Sequence, residues 1–364
     1  VLARTPGAPA GTRGISLFIV PKYHVNADGS LAGRNDLRCA GLEHKLGIMA
    51  SPTCVMSFGD NDECIGELIG HENEGLKAMF TMMNSARINV GNQGVQIAER
   101  ALQQARGYAR DRVQSARAGS PDKTPVAIIE HPDVRRMLLR MRALTEGARA
   151  LLYYTAGLVD RGALGIEGAQ ARADCLVPLI KAWGTDVGCE VASLGVQIHG
   201  GMGFVEETGA AQHYRDARIA PIYEGTNGIQ AADFVTRKLG YEGGGVVSSL
   251  LEEAARDCAN LPALATLASE CATIARWMAS EASLDDRLAG SVAFTTMSAV
   301  AVAGWQLHRQ ARALAAEGSP LAPAKQVIAR YFAAHIATES LGLKAAATAG
   351  AELLYALDAE ALAG

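Results

Sequence analysis

From position 76 to 108 the residues Leu76, Phe80, Met83, Arg87, Val90, Gly94, Ala98, Leu102, Ala105 and Tyr108 recur every three or four places. That spacing lays one stripe along one face of an α-helix and excludes a strand, whose side chains alternate with a period of two. The helix it predicts begins after HENEG (71–75) and runs to about Arg112. Its stripe needs other helices to cover it, so the rest of the chain is expected to be largely helical. Alanine is abundant and aromatic residues make up only 5% of the chain, which favours helices packed closely through small side chains.

Further helices follow the same logic. Pro132 and Asp133 start a second, with Val134, Leu138, Met141, Leu144, Ala148 and Leu151 on one face. Arg135, Arg136, Arg142 and Arg149 lie largely off that face and read as a solvated surface. Pro178 opens a third helix that runs to His199 and stops at GGMG, and a fourth follows Thr226. YEGGG (241–245) reads as a linker, and the Ala/Leu-rich remainder as another helical bundle. Upstream, GISLFIV (14–20), closed by Pro21, and TCVMSF (53–58) are candidate strands, with a turn at NADGS (26–30). The expected organisation is a β segment over 1–70, a helical domain over 71–240 and a second helical domain over 246–364.

Several function classes are disfavoured. A formal net charge of −4 argues against a global affinity for nucleic acid or acidic membranes. The seven cysteines include no CxxC pair and read as small buried thiols in a reducing, cytoplasmic setting. No HxxxH or HExxH spacing predicts a protein-held metal. The uncharged run 291–307 is diluted by Ser and Thr and reads as a core helix, not a membrane span.

Candidate chemistry concentrates in RIAPIYEGTNGIQ (218–230). Ile219, Ala220, Pro221, Ile222 and Tyr223 are expected to desolvate Glu224, which moves a carboxyl upward toward the range of a general base. Gly225 permits close approach of a ligand, and Thr226 can cap the following helix. A bland reading is a solvated turn glutamate. Gln197, one turn before Gly200-Gly201-Met202-Gly203, can meet a ligand there. Arg112 either complements a helix C-terminus or reaches a pyrophosphate with its planar fork. His199 and His213 read as ordinary polar residues, and Glu206, Glu207, Arg215 and Asp216 as loop-fixing ion pairs.

Taken together, IYEGTNGIQ (222–230), LGVQIHGGMGF (194–204), YRDARI (214–219) and LEHKLGIMASPTCVMSFGD (42–60) resemble the acyl-CoA dehydrogenase family over residues 14–240. The tail resembles the extra helical domain of a longer bacterial subgroup that includes methylthiopropanoyl-CoA dehydrogenases. The resemblance implies a mainly α fold: a partial β-barrel segment, the family's helical bundle and an extra C-terminal helical domain. It also implies that the chain is the C-terminal portion of a longer protein.

For chemistry, the resemblance implies FAD-dependent α,β-dehydrogenation of an acyl-CoA, a step of fatty acid metabolism, with Glu224 as the base. Arg112, Gln114, Gln197, Gly201 and Thr226 match FAD-contacting positions, some reached across a subunit interface. Arg87, Tyr223 and Gly225 match the acyl-CoA site. Gly228 stands where many relatives carry a glutamine that touches FAD, so that contact is not carried over. A homodimer or tetramer and electron-transferring flavoprotein as acceptor are the implied partners. The alternatives are an acyl-CoA oxidase and a non-catalytic helical scaffold.

Overall fold

The computed structural model describes all residues, Val1–Gly364, and the chain divides into two compact units, Val1–Ala86 and Arg87–Gly364. The first unit holds three small antiparallel sheets. Strand β1 (Leu2–Ala3) pairs with β2 (Ser16–Ile19), β3 (Tyr23–Val25) with β4 (Leu31–Arg34), and β5 (Leu37–Leu42) with β6 (Cys54–Phe58). Strand β7 (Glu67–Ile69) pairs with β2 in register Leu17↔Ile69. Both expected strands are present, and Pro21, which cannot donate to a ladder, lies just beyond β2. The NADGS turn closes through the Asn26 amide on the Ser30 carbonyl at 2.9 Å, with Gly29 at φ +83°.

Helix α1 (Gly75–Asp111) crosses the boundary between the units. It starts against β2: the Gly75 amide donates to the Ile15 carbonyl at 2.9 Å, and a Cβ at Gly75 would lie 2.4 Å from the Ser16 carbonyl carbon. Only glycine fits there.

The second unit continues with α2 (Pro132–Ala163), α3 (Ala169–His199), α4 (Ala210–Ala217), α5 (Asn227–Thr236), α6 (Val246–Asp257), α7 (Pro262–Ser280) and α8 (Leu284–Ala316). After these come α9 (Ala322–Tyr331), the short helices α10 (Ala337–Leu341) and α11 (Lys344–Thr348), and α12 (Ala359–Ala363). Small residues do bring helices together. At Gly94 of α1 and Gly184 of α3 the backbones approach so closely that a Cβ on Gly94 would lie 2.3 Å from the Gly184 carbonyl oxygen. Helix α8 packs against α2, α3, α5 and α7, so the helices of the tail share one hydrophobic core with those before them. By length and composition α8 could cross a membrane, yet 72% of its apolar window is buried within the protein.

Three expectations need correction. Helix α3 starts at Ala169, nine residues before Pro178, which sits inside it. An internal proline costs about 3 kcal/mol. Its neighbours Cys175, Leu176, Val177, Leu179 and Ile180 are all buried, and that burial offsets the penalty. The arginines of α2 are not all on a solvated face: Arg149 is half-buried and pairs with Glu99 of α1 at 2.6 Å. Nor are the thiols all buried, since Cys39 and Cys54 lie exposed on β5 and β6. Helix α4 lies in a stretch where periodicity predicts none.

Candidate active site

The turn between α4 and α5 carries Glu224. The Ile222 and Tyr223 amides donate to the Ile219 carbonyl at 2.9 and 3.1 Å, and the Asn227 amide donates back to the Pro221 carbonyl at 2.9 Å. The chain then passes through two consecutive left-handed residues, Glu224 at φ +55° and Gly225 at φ +82°. Glycine adopts that region freely; a glutamate there carries a strain of about 1 kcal/mol or more. Thr226 ends the turn as expected, its hydroxyl accepting from the Ile229 amide at 3.3 Å to cap α5. The Glu224 amide N–H donates to nothing within the chain.

Beneath the turn lies a buried polar seam. Gln230 has no exposed surface, and its amide nitrogen donates to the Glu224 carbonyl at 3.5 Å. A Cβ on Gly225 would come within 2.9 Å of that same nitrogen, so residue 225 must be glycine on two counts. Arg87, 7% exposed, pairs with the buried Asp233 at 3.5 Å, and Asp233 also receives Arg237. Two buried polar atoms of this seam, Arg87 Nε and Gln230 Oε1, have no partner. Unpaired buried donors and acceptors are costly, and functional sites are where they concentrate. Lys181 of α3, also fully buried, donates to Asn227 Oδ1 at 3.0 Å.

The flank differs from expectation. Of the residues before Glu224 only Ala220 is buried; Ile222 is 47% and Tyr223 36% exposed, and Glu224 itself is half-buried. A run of apolar letters in a turn cannot pack inward on all sides, because successive side chains of a tight turn point in different directions. The Tyr223 hydroxyl donates to Gln93 of α1, which ties the turn to that helix.

The second group of predicted residues lies elsewhere in the helical unit. Arg112 follows the last residue of α1, its amide still bonded to the Tyr108 carbonyl at 2.9 Å. A bridge between Val113 and Ala127 then turns the chain back. Gln114 and Ile198 line one cleft of about 300 Å³ together with Ser115, Ile128, His131 and Val134. The side chains of Arg112, Gln114 and Gln197 are exposed, with no partner in the chain, and Gly201 opens onto free space. A guanidinium and two carboxamides so placed can donate to a phosphate-bearing ligand. No hydrogen bond or ion pair joins this group to the Glu224 turn. His199 is buried, with its ring stacked on Tyr108 and Nδ1 2.7 Å from the Gly195 carbonyl, and Arg215 grips Glu206 at 2.6 and 2.9 Å. Both are structural, as read. No three His, Cys, Asp or Glu side chains converge on a point that could hold a metal ion.

Lys181, Asn227, Gln230 and Asp233 were not singled out by sequence reasoning. One signal was available: Lys181 is the only charge in CLVPLIKAWG (175–184), a run with no other reason to contain one.

Residues 73–239 match the model of the acyl-CoA dehydrogenase C-terminal domain, and residues 249–358 that of the acetyl-CoA dehydrogenase C-terminal-like domain. A 3-methylmercaptopropionyl-CoA dehydrogenase of Ruegeria pomeroyi is 49% identical over 94% of this chain, and a butyryl-CoA dehydrogenase of Syntrophomonas wolfei is 42% identical over 65%. This chain spans 60% of the length of the first relative and 41% of the second. An acyl-CoA dehydrogenase from Bacillus anthracis, solved with FAD, shares the fold with a TM-score of 0.75 at 23% identity, covering 94% of this chain and 59% of that one. The two adjoining domain matches, and the agreement with a dehydrogenase relative along nearly the whole chain, establish that it belongs to the acyl-CoA dehydrogenase family.

Proposed function

We propose that the protein dehydrogenates an acyl-CoA thioester between its α and β carbons, with FAD as oxidant and Glu224 as the base that takes the α-proton. The observation that carries this reading is the Glu224 turn: a carboxylate on a left-handed residue, beside a glycine that leaves room for a ligand, and with its own amide unpaired.

An α-proton beside a thioester is only weakly acidic, so a carboxylate alone is too weak a base to remove it quickly. The carbonyl oxygen must be stabilised as charge develops on it, which is the largest contribution in most such reactions. The free N–H of Glu224 is a donor placed one residue's breadth from the base itself. Proton removal and oxyanion stabilisation then come from the same residue, and Gln230, holding the Glu224 carbonyl, fixes the peptide that follows the base. Tyr223 and Gly225 flank the acyl thioester. Arg87 completes its site from α1, where the pairing to Asp233 fixes the guanidinium.

FAD, when bound, supplies the acceptor for the β-hydrogen, which leaves as hydride. Arg112, Gln114, Gln197 and Gly201 suit its pyrophosphate, since they offer a cation and amide donors without internal partners; Thr226, two residues after the base, would contact the bound flavin. Such a divided set of contacts agrees with a homodimer or tetramer, and electron-transferring flavoprotein is the acceptor this reading expects. The substrates named for the two relatives have short acyl chains, which supports a short chain here.

An absorbance titration of the flavin-loaded protein with acyl-CoAs of graded length tests the class, since dehydrogenation bleaches the flavin. Glu224→Gln keeps the shape of the side chain but removes its carboxylate, and should lower kcat by about 10⁴-fold, the upper range for a general base, with flavin still bound. Turnover within tenfold of wild type would remove Glu224 as the base. Peroxide formed in step with product, without an added acceptor, would favour the oxidase instead.

A further inference from the structure

Lys181 has no exposed surface and takes part in no ion pair. Its ammonium donates to Asn227 Oδ1 at 3.0 Å. The hydrogens of the Asn227 amide are shared among the Ala182 carbonyl at 2.9 Å, the Thr185 hydroxyl at 3.0 Å and Asp186 at 2.8 Å, all on α3. The Asn227 backbone amide meanwhile closes the Glu224 turn on the Pro221 carbonyl. One side chain therefore locks the first residue of α5, and with it the turn, onto α3. Burying an ammonium without a carboxylate against it is expensive, and a methionine would fill the same space without that cost. A bundle core gains nothing from such a group; a turn that must hold a carboxylate to within a fraction of an ångström does.

We propose that Lys181 is a positioning residue for Glu224, acting through Asn227 to fix the backbone of the turn. This rests on the reading of Glu224 as the base. Charge adds to the geometry: Asp186 on α3, Arg87 on α1 and Glu224 itself are the ionisable groups whose charges act on the ammonium, and burial pulls its pKa down to about 8.

The test is a double-mutant cycle on kcat in the flavin-loaded full-length protein. Lys181→Met and Asn227→Ala should each lower kcat by about 100-fold, the cost of misplacing a reacting group by about an ångström, with KM nearly unchanged. Combined, they should lose no more than the worse single variant, because one acts through the other. A second readout needs no turnover: backbone amides of residues 223–227 should exchange faster in Lys181→Met, while those of the α8 core do not.

Additive losses would overturn the route through Asn227. Unchanged kcat in Lys181→Met beside an inactive Glu224→Gln would overturn the positioning role and leave the base in place. Full turnover in Glu224→Gln would overturn the base, and the positioning role with it. If Lys181→Met does not fold, Asn227→Ala decides alone, and wild-type kcat in that variant counts against the proposal.

Discussion

In the first unit no hydrophobic side chain is fully buried, whereas the helical unit buries hydrophobic residues from Val90 to Ala351. The two regions have similarly apolar sequences. What differs is how their backbones are satisfied. A helix pairs its amides internally and can turn a whole stripe inward, and α8 does so along most of its length. Sheets of two or three strands leave at least one face open, and Ile19, Leu42, Val55 and Phe58 all lie exposed on such faces. Every residue of the proposed chemistry lies in the unit that closes its own core. A base that depends on the orientation of a single peptide needs a rigid support beneath it.

The sharpest way to break this comparison is to cut one aromatic from each unit. Phe332 has no exposed surface; its ring meets Trp183 edge-on at 6.3 Å and fills the space left by Gly147 and Gly304. Phe332→Ala should cost about 4 kcal/mol, the usual loss for a buried phenylalanine. Phe58, 44% exposed on β6, should cost less than about 1 kcal/mol on the same change. Urea melts followed by far-ultraviolet circular dichroism measure both. Equal shifts would mean that Phe58 is packed in solution and that the contrast is false.

A smaller effect tests the close contact between α1 and α3. On Gly94 an added Cβ meets only backbone: the Gly184 carbonyl oxygen at 2.3 Å, its carbon at 2.7 Å and the Thr185 Cα at 2.8 Å. Nothing there can swing aside, so Gly94→Ala should destabilise by about 3 kcal/mol, the upper end for overpacking. Gly107, on the same helix but facing open space, should instead gain about 0.5–1 kcal/mol as alanine. Opposite signs from identical substitutions, read from thermal midpoints, would place the contact. Because Thr185 also bonds Asn227, the Gly94 variant should loosen the Glu224 turn as well.

How much of this was legible beforehand follows from the range of the forces involved. The stripe of α1 could be read because every contact in it repeats locally, and the strands at 14–20 and 53–58 because proline and glycine bound them. The start of α3 could not, since it depends on burial against other helices that outweighs the penalty of Pro178. The tight turn at Glu224 is legible in its letters, while the expected desolvation by Ile222 and Tyr223 fails because side-chain direction in a turn is set by φ and ψ. Arg149 reads as a surface charge in the sequence because its partner Glu99 lies 50 positions away on another helix. The polar seam of Arg87, Lys181 and Gln230 joins the distant helices α1, α3 and α5, and only the lone charge of Lys181 in an apolar run hints at it.

That seam offers the last and subtlest test, since it sets a buried charge against the apolar core around it. The lowered pKa of Lys181 means that the unfolded chain, where the usual value of 10.5 applies, holds the proton more tightly than the folded one. The folded state therefore carries the full penalty below about pH 8 and loses it as pH rises toward 10.5. The cysteines oppose this trend, because burial raises Cys175 and Cys258 to about 12 and their stabilisation declines as the unfolded thiols ionise above 9. A single melt thus mixes the two, but the difference between wild type and Lys181→Met does not. At pH 7 the methionine variant should be the more stable by about 2 kcal/mol, below the ~3 kcal/mol that the full shift would give at 1.36 per unit, since Asn227 Oδ1 loses its ammonium donor and keeps only the Thr185 hydroxyl at 3.3 Å. The gap should close between pH 8 and 10.5. A gap independent of pH would mean that the ammonium keeps its ordinary pKa, hydrated at the heart of the helical unit.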